Sequence, residues 1–187
     1  MLCLACAMPE PPLCSSCERS LRTVPRRIVA DGAVAVDVVA AFAHSGAASQ
    51  LVRHLKYRRS IDAGRYLARR MARLVPPDAT GLVPVPRVMA RRISYGIDQT
   101  RLLADELSRI TGLPVRGVLA ANLWSPRSAG RGRVHRPVPS FAAKAYTARP
   151  VLVDDVCTTG RTLIGAALAL GYARTPAVVA TSAGSMG

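Results

Sequence analysis

Apolar positions along this chain follow two spacings. Three segments carry helical spacing. Residues 48–57 set Leu51, Val52 and Leu55 on one side. Residues 61–74 set Ile61, Gly64, Leu67, Ala68, Met71 and Leu74 on one face with arginines opposite, and Pro76-Pro77 ends the run. Residues 98–111 repeat the pattern with Leu102, Leu103, Leu107 and Ile110, and Gly112 and Pro114 stop it. Shorter apolar runs of strand length lie at 33–42, 115–121, 151–153 and 177–181, although the alanines of 33–42 leave a helix open there. Another starts at Gly81 and ends at Val83 or Val85, where Pro84 and Pro86 mark the strand's C-terminal edge. A last helix is expected from about 162 to 170, with Gly171 as its C-cap. Residues 19–32 read as a basic, Pro-containing linker and 125–139 as a loop. Strands alternating with helices predict an α/β fold with a mainly parallel sheet flanked by helices. Ligands of such sheets bind at the carboxyl ends of the strands.

Residues 151–163 concentrate the chemistry. Three apolar residues run into Asp154 and Asp155, then into Val156, Cys157, Thr158, Thr159, Gly160, Arg161 and Thr162. This predicts strand, loop and helix start. Backbone N–H groups and the helix dipole favour an anion there, the threonines add hydroxyl donors, and Gly160 permits a tight turn. Two carboxylates beside a phosphate cradle make sense if the ligand also carries hydroxyls or a metal. A ribose diol donates two hydrogen bonds, and Mg²⁺ takes oxygen ligands. A phosphorylated ribose with Mg²⁺ fits both. Neither a Walker loop nor a G-x-G-x-x-G fingerprint occurs. Cys157 is either a thiol with a pKa depressed by the helix terminus or a small residue filling a tight loop.

The N-terminus holds Cys3, Cys6, Cys14 and Cys17, spaced C-x2-C-x7-C-x2-C. Two such knuckles can set four thiolates around structural Zn²⁺, and so small a module needs the metal to fold. Residues 1–24 are therefore expected to form a zinc module and 33–187 the main domain. The net charge is +15, and every basic residue except Lys56 and Lys144 is arginine. Such a balance attracts polyanions, either nucleic acid or phosphorylated substrates. Aromatic residues are only 4%, which argues against a stacking platform for bases. No uncharged run of membrane-spanning length and no basic-then-apolar leader occurs, so a cytoplasmic protein without membrane insertion is expected.

The stretch from Asp154 to Thr162 resembles the 5-phosphoribosyl-1-pyrophosphate (PRPP) motif of type I phosphoribosyltransferases. Four cysteines, Leu55-Lys56-Tyr57, Val83-Pro84-Val85-Pro86 and residues 91–99 precede it in an order that resembles the ComF family, the competence-protein-F-like phosphoribosyltransferases. The resemblance implies a type I phosphoribosyltransferase-like sheet. It implies that Asp154 and Asp155 hold the ribose hydroxyls and the Mg²⁺ shell, with Val156, Cys157, Thr158, Thr159, Gly160, Arg161 and Thr162 around the 5-phosphate. Val85, Pro86 and Arg87 would contact pyrophosphate, Lys56 would be a phosphate ligand, and Arg91 and Arg92 would lie on a catalytic loop closing over the site. The expected activity is binding or transfer of a 5-phosphoribosyl group to an acceptor, commonly a nitrogenous base in that superfamily. The alternative is a non-catalytic factor that binds single-stranded DNA, linked to DNA uptake and the competence machinery.

Overall fold

A computed structural model describes residues 2–58, 60–86, 98–121, 138–144 and 149–183. Five strands form the central sheet: β1 (Arg27–Asp31), β2 (Val34–Ala43), β3 (Gly81–Pro84), β6 (Pro150–Cys157) and β7 (Arg174–Ser182). Their spatial order is β1-β2-β7-β6-β3. All neighbours run parallel except the β1–β2 hairpin at one edge. The expected mainly parallel α/β sheet is therefore present. A second, two-stranded antiparallel sheet joins β4 (Leu119–Ala121) to β5 (Phe141–Ala143).

The sheet is covered on both faces because its strands alternate apolar residues to either side. Val151 and Val153 of β6 face a core built with α2 (Gly46–Arg58), α3 (Ile61–Met71) and α4 (Gln99–Thr111). Leu51, Leu55, Leu67, Met71, Leu103 and Leu107 fill it, all fully buried. Leu152, one residue out of phase, faces a second core with Val36, Val38 and Val179 under α5 (Arg161–Leu170). The helical faces expected in these segments are the buried ones, with Leu74 and Leu102 half-buried and Ile61 and Ile110 exposed. Helix ends follow local chemistry. Ser60 caps α3 by accepting from Ala63 N at 3.2 Å. Asp98 caps α4 by accepting from Thr100 N at 3.1 Å, and Gly112 ends that helix at φ 74°. On α5, Gly165 lets the chain cross closely: a Cβ there would stand 2.1 Å from the carbonyl oxygen of Pro139.

Three boundaries differ from expectation. The segment read as a linker at 19–32 contains β1 and follows a short helix, α1 (Ser15–Arg19). β1 is a short edge strand with Ile28 exposed, so its apolar residues mark no core-facing run, and only pairing with β2 makes it a strand. The strand read as 151–153 continues to Cys157, so both aspartates lie within it. Its extension pairs with β7, Val156 opposite Thr181 and Cys157 opposite Ser182, although the side chains there are polar or mixed. Finally, the run read as a strand at 115–121 is regular only from Leu119, with Val115 making one isolated bridge to Leu82. The loop expected at 125–139 lies outside the described residues except for its last two.

The N-terminal segment is docked rather than tethered. Cys3, Leu13 and Cys14 share the core of α2 and α3. Glu18 pairs with Arg70 of α3 at 2.6 Å and accepts from the Tyr66 hydroxyl at 3.2 Å. Tyr66 in turn stacks on Phe42 with ring centroids 6.4 Å apart. Among the described residues, no helix is long and apolar enough to cross a membrane.

Candidate functional site

The carboxyl ends of β3 and β6 diverge in length, and this makes the site. β3 stops pairing at Pro84, opposite Val153. A last bond, Val85 N to Val153 O at 3.0 Å, closes that flank. Beyond it β6 runs on along β7 alone, carrying Asp154 and Asp155 past the end of β3. Both aspartates are buried, with 9% and 5% of their surface exposed. Asp154 Oδ1 accepts the backbone N–H of Asp155 at 2.7 Å, which fixes its carboxylate.

Cations and polar groups from other elements converge on this pair. Lys56, near the C-terminus of α2, puts Nζ 3.0 Å from Asp155 Oδ1. His44, just after β2, has Nδ1 2.8 Å from the Thr181 hydroxyl on β7. Burial holds the His44 pKa below its ordinary value and the Lys56 charge adds to this, against a smaller opposing pull from Asp155. The start of α4 ties the cluster together. Thr100 donates its hydroxyl to Val85 O at 2.9 Å, and the fully buried Gln99 donates Nε2 to Lys56 O at 3.3 Å. Gln99 Oε1 is buried without a partner. Lys56, Val85, Asp154 and Asp155 are thus brought together, with Pro86 half-buried just beyond the end of β3. Arg87, Arg91 and Arg92, also expected at the site, lie outside the described residues. Of the loop expected at 91–99, Asp98 is the cap of α4 and Gln99 its first residue, so this end is anchored in the core.

After Cys157 the chain turns through Thr158, Thr159 and Gly160 into α5. Both threonines are exposed. Gly160 sits at φ 79°, left-handed backbone that a Cβ disfavours, and a Cβ there would lie 2.7 Å from Val29. No side chain caps α5. Among the described residues, no backbone bond uses the N–H groups of 158–163; the first to be used is Ile164 N, which donates to Gly160 O at 3.0 Å. This is a run of consecutive donors at a helix N-terminus. Arg161 turns toward β1, where it lines a cavity of about 460 Å³ with Thr159, Ile164 and residues 29–31. Its Nε is buried without a partner. The Cys157 thiol is pushed up by burial, with Arg27 opposing, so the depressed pKa that a helix terminus can cause does not arise here.

Arg27 is a site neighbour that the linear pattern did not single out. Its Nη2 reaches the Cys157 sulfur at 2.8 Å, the Cys157 carbonyl oxygen at 3.2 Å and the Thr158 carbonyl oxygen. Two strands separate β1 from β6 in the sheet, but α5 packs on β1 and β2, and the turn leading into α5 is carried over to meet them. The one available signal was an arginine two residues before Val29 on what proved to be a strand, because such residues share a face.

At the other end of the chain, the sulfurs of Cys3, Cys6, Cys14 and Cys17 all lie within 4.8 Å of one another. Tetrahedral Zn²⁺ with Zn–S of about 2.3 Å needs sulfurs roughly 3.8 Å apart, so the cluster is compatible with a structural zinc site. Burial raises the Cys3 thiol, but backbone N–H groups of Cys14, Ala5 and Cys6 outweigh it and bring the pKa down to about 6. Two of its neighbours shift the other way, Cys17 pushed up by burial and the surrounding cysteines and Cys6 raised as well, so a metal bound here must displace protons. Compared with known proteins, the chain matches no family model and no curated protein.

Proposed function

We propose that this chain is a phosphoribosyltransferase-like protein that binds PRPP with Mg²⁺, as its sequence resemblance to the ComF family implies. One observation carries the proposal: a buried aspartate pair lies near the end of a central parallel strand that runs into a donor-rich turn and an uncapped helix. The two halves suit two parts of one ligand. Asp154 and Asp155 offer acceptors for the ribose 2- and 3-hydroxyls. The N–H groups of 158–163 with the hydroxyls of Thr158, Thr159 and Thr162 offer donors to the 5-phosphate. Val85 and Pro86 stand at the adjacent strand end, where the 1-pyrophosphate would lie. The carboxylates also suit a hard cation that keeps much of its water, and Mg²⁺ bound there would neutralise charge on the leaving pyrophosphate.

Lys56 has a double role on this view. Without ligand it neutralises Asp155 across 3.0 Å. With PRPP bound its ammonium can turn to a phosphoryl oxygen, because a flexible lysine presents a mobile point charge. Transfer requires no protein nucleophile. The bond from ribose C1 to pyrophosphate breaks, a bond from C1 to the acceptor forms, and preorganised cations stabilise the departing charge. The four-cysteine cluster would hold one structural Zn²⁺, away from this chemistry.

Calorimetric titration with PRPP and Mg²⁺ tests the proposal. The wild type should bind, and Asp154→Asn with Asp155→Asn should weaken binding at least roughly tenfold, the loss expected when charge-assisted hydrogen bonds to hydroxyls become neutral ones. No heat from the wild type, or equal affinity in the double variant, would rule it out.

A further inference from the structure

We infer that Arg27 is a positioning residue for the anion-binding turn, an inference that rests on the function proposed above. The reason lies in the peptide plane. In a trans peptide, the C=O of one residue and the N–H of the next point in opposite directions. Arg27 Nη2 sits on the carbonyl oxygens of both Cys157 and Thr158. The N–H groups of Thr158 and Thr159 therefore point away from Arg27, as the first members of the donor run. One guanidinium thus sets the orientation of two consecutive peptides.

The rest of β1 and β7 supports the same hold. Val29 shares a strand face with Arg27 and closes against Gly160, leaving no room for a Cβ. The Cys157 carbonyl oxygen also accepts from Ala183 N at 3.0 Å and from the Ser182 hydroxyl at 3.1 Å. The Cys157 carbonyl oxygen thereby accepts from three donors, while among the described residues no backbone bond uses the N–H groups of the turn. A terminal guanidinium nitrogen has two hydrogens, so the three contacts of Nη2 share them. Lysine could replace one or two of these contacts but lacks the planar fork, and alanine replaces none.

The test uses the full chain with Arg27→Ala and Arg27→Lys. Affinity for PRPP with Mg²⁺ is measured by calorimetry, and the amide signals of Thr158, Thr159 and Gly160 are followed by NMR without ligand. Arg27→Ala should weaken binding roughly tenfold and shift those amides, while Arg27→Lys should recover part of both. A purely structural role would lower the melting temperature without local amide changes or partial rescue by lysine. Wild-type binding with Arg27→Ala within twofold of it would overturn the inference and leave the proposed function standing. Absence of wild-type binding would overturn the proposed function, and unmoved amides in Arg27→Ala would then independently overturn the inference. If Arg27→Ala does not fold, Arg27→Lys carries the same comparison: affinity and amides indistinguishable from wild type would overturn the inference.

Discussion

Gly160 is the residue on which the turn depends most directly. Its backbone is left-handed at φ 79°, and the space a Cβ would take belongs to Val29. Left-handed backbone costs an L-residue roughly 1–2 kcal/mol before any overlap is counted. Gly160→Ala is therefore expected to lower the melting temperature by at least roughly 2 °C, given about 2–4 °C per kcal/mol for a chain of this size. It should also weaken PRPP binding, because relief of the overlap must move the turn. A thermal melt with a parallel titration checks both, and an unchanged variant would mean that Val29 does not press on the turn. Lys56 is tested separately. Replacing it with Met removes the cation that neutralises Asp155 in the free protein, so Mg²⁺ alone should bind more tightly even as PRPP binds less tightly. Titrations with the metal alone and with the metal and PRPP separate the two effects, and a loss in both would tie Lys56 to the fold.

At the scale of elements, the N-terminal module and β1 matter for what they lean on. Cys3, Leu13 and Cys14 belong to the core of α2 and α3, and Glu18 reaches Arg70. Releasing metal from the four cysteines should therefore loosen that core as well as the module. Chelation, or Cys14→Ser with Cys17→Ser, is expected to lower the melting temperature of the whole chain by more than about 5 °C, since metal binding at such sites is coupled to folding. Metal analysis should find about one Zn per chain before treatment. An unchanged melt would mean the module is a passenger. Helices α2, α3 and α4 were legible in the sequence because each hides one face, so their apolar residues recur at helical spacing. β1 was not, because an edge strand with an exposed isoleucine has no such pattern.

For the molecule as a whole, the β1–β2 edge is held by charge as well as by hydrogen bonds. Asp37 of β2 is buried and bound by Arg174 of β7 at 2.7 and 2.9 Å, and Arg26 stands at 3.2 Å. The Arg174 hydrogen bonds lower the Asp37 pKa, against the effect of burial, and Arg26 helps. The folded value lies below the unfolded one, so this stabilisation is present above the unfolded pKa, about 3.9, and is lost as pH falls through the folded value. Asp37→Asn should melt lower than wild type at neutral pH, with a gap that narrows below about pH 4. A gap constant across that range would show that the carboxylate charge is not what holds this edge.

From the sequence alone came the parallel α/β class, the helices, the four-cysteine spacing and the candidate site at residues 154–162. Each of these is a local pattern: periodicity, ligand spacing, or an acidic pair leading into a hydroxyl-rich turn. The tertiary structure decided the rest. It extended β6 through both aspartates because β7 continued to pair with it after β3 had ended at Pro84. It brought Lys56 to Asp155 and tied Val85 to α4 through Thr100. It set Arg27 behind a turn 130 residues further along the chain. Such contacts depend on how strands are ordered and how a helix crosses the sheet, and no spacing along a single chain encodes them.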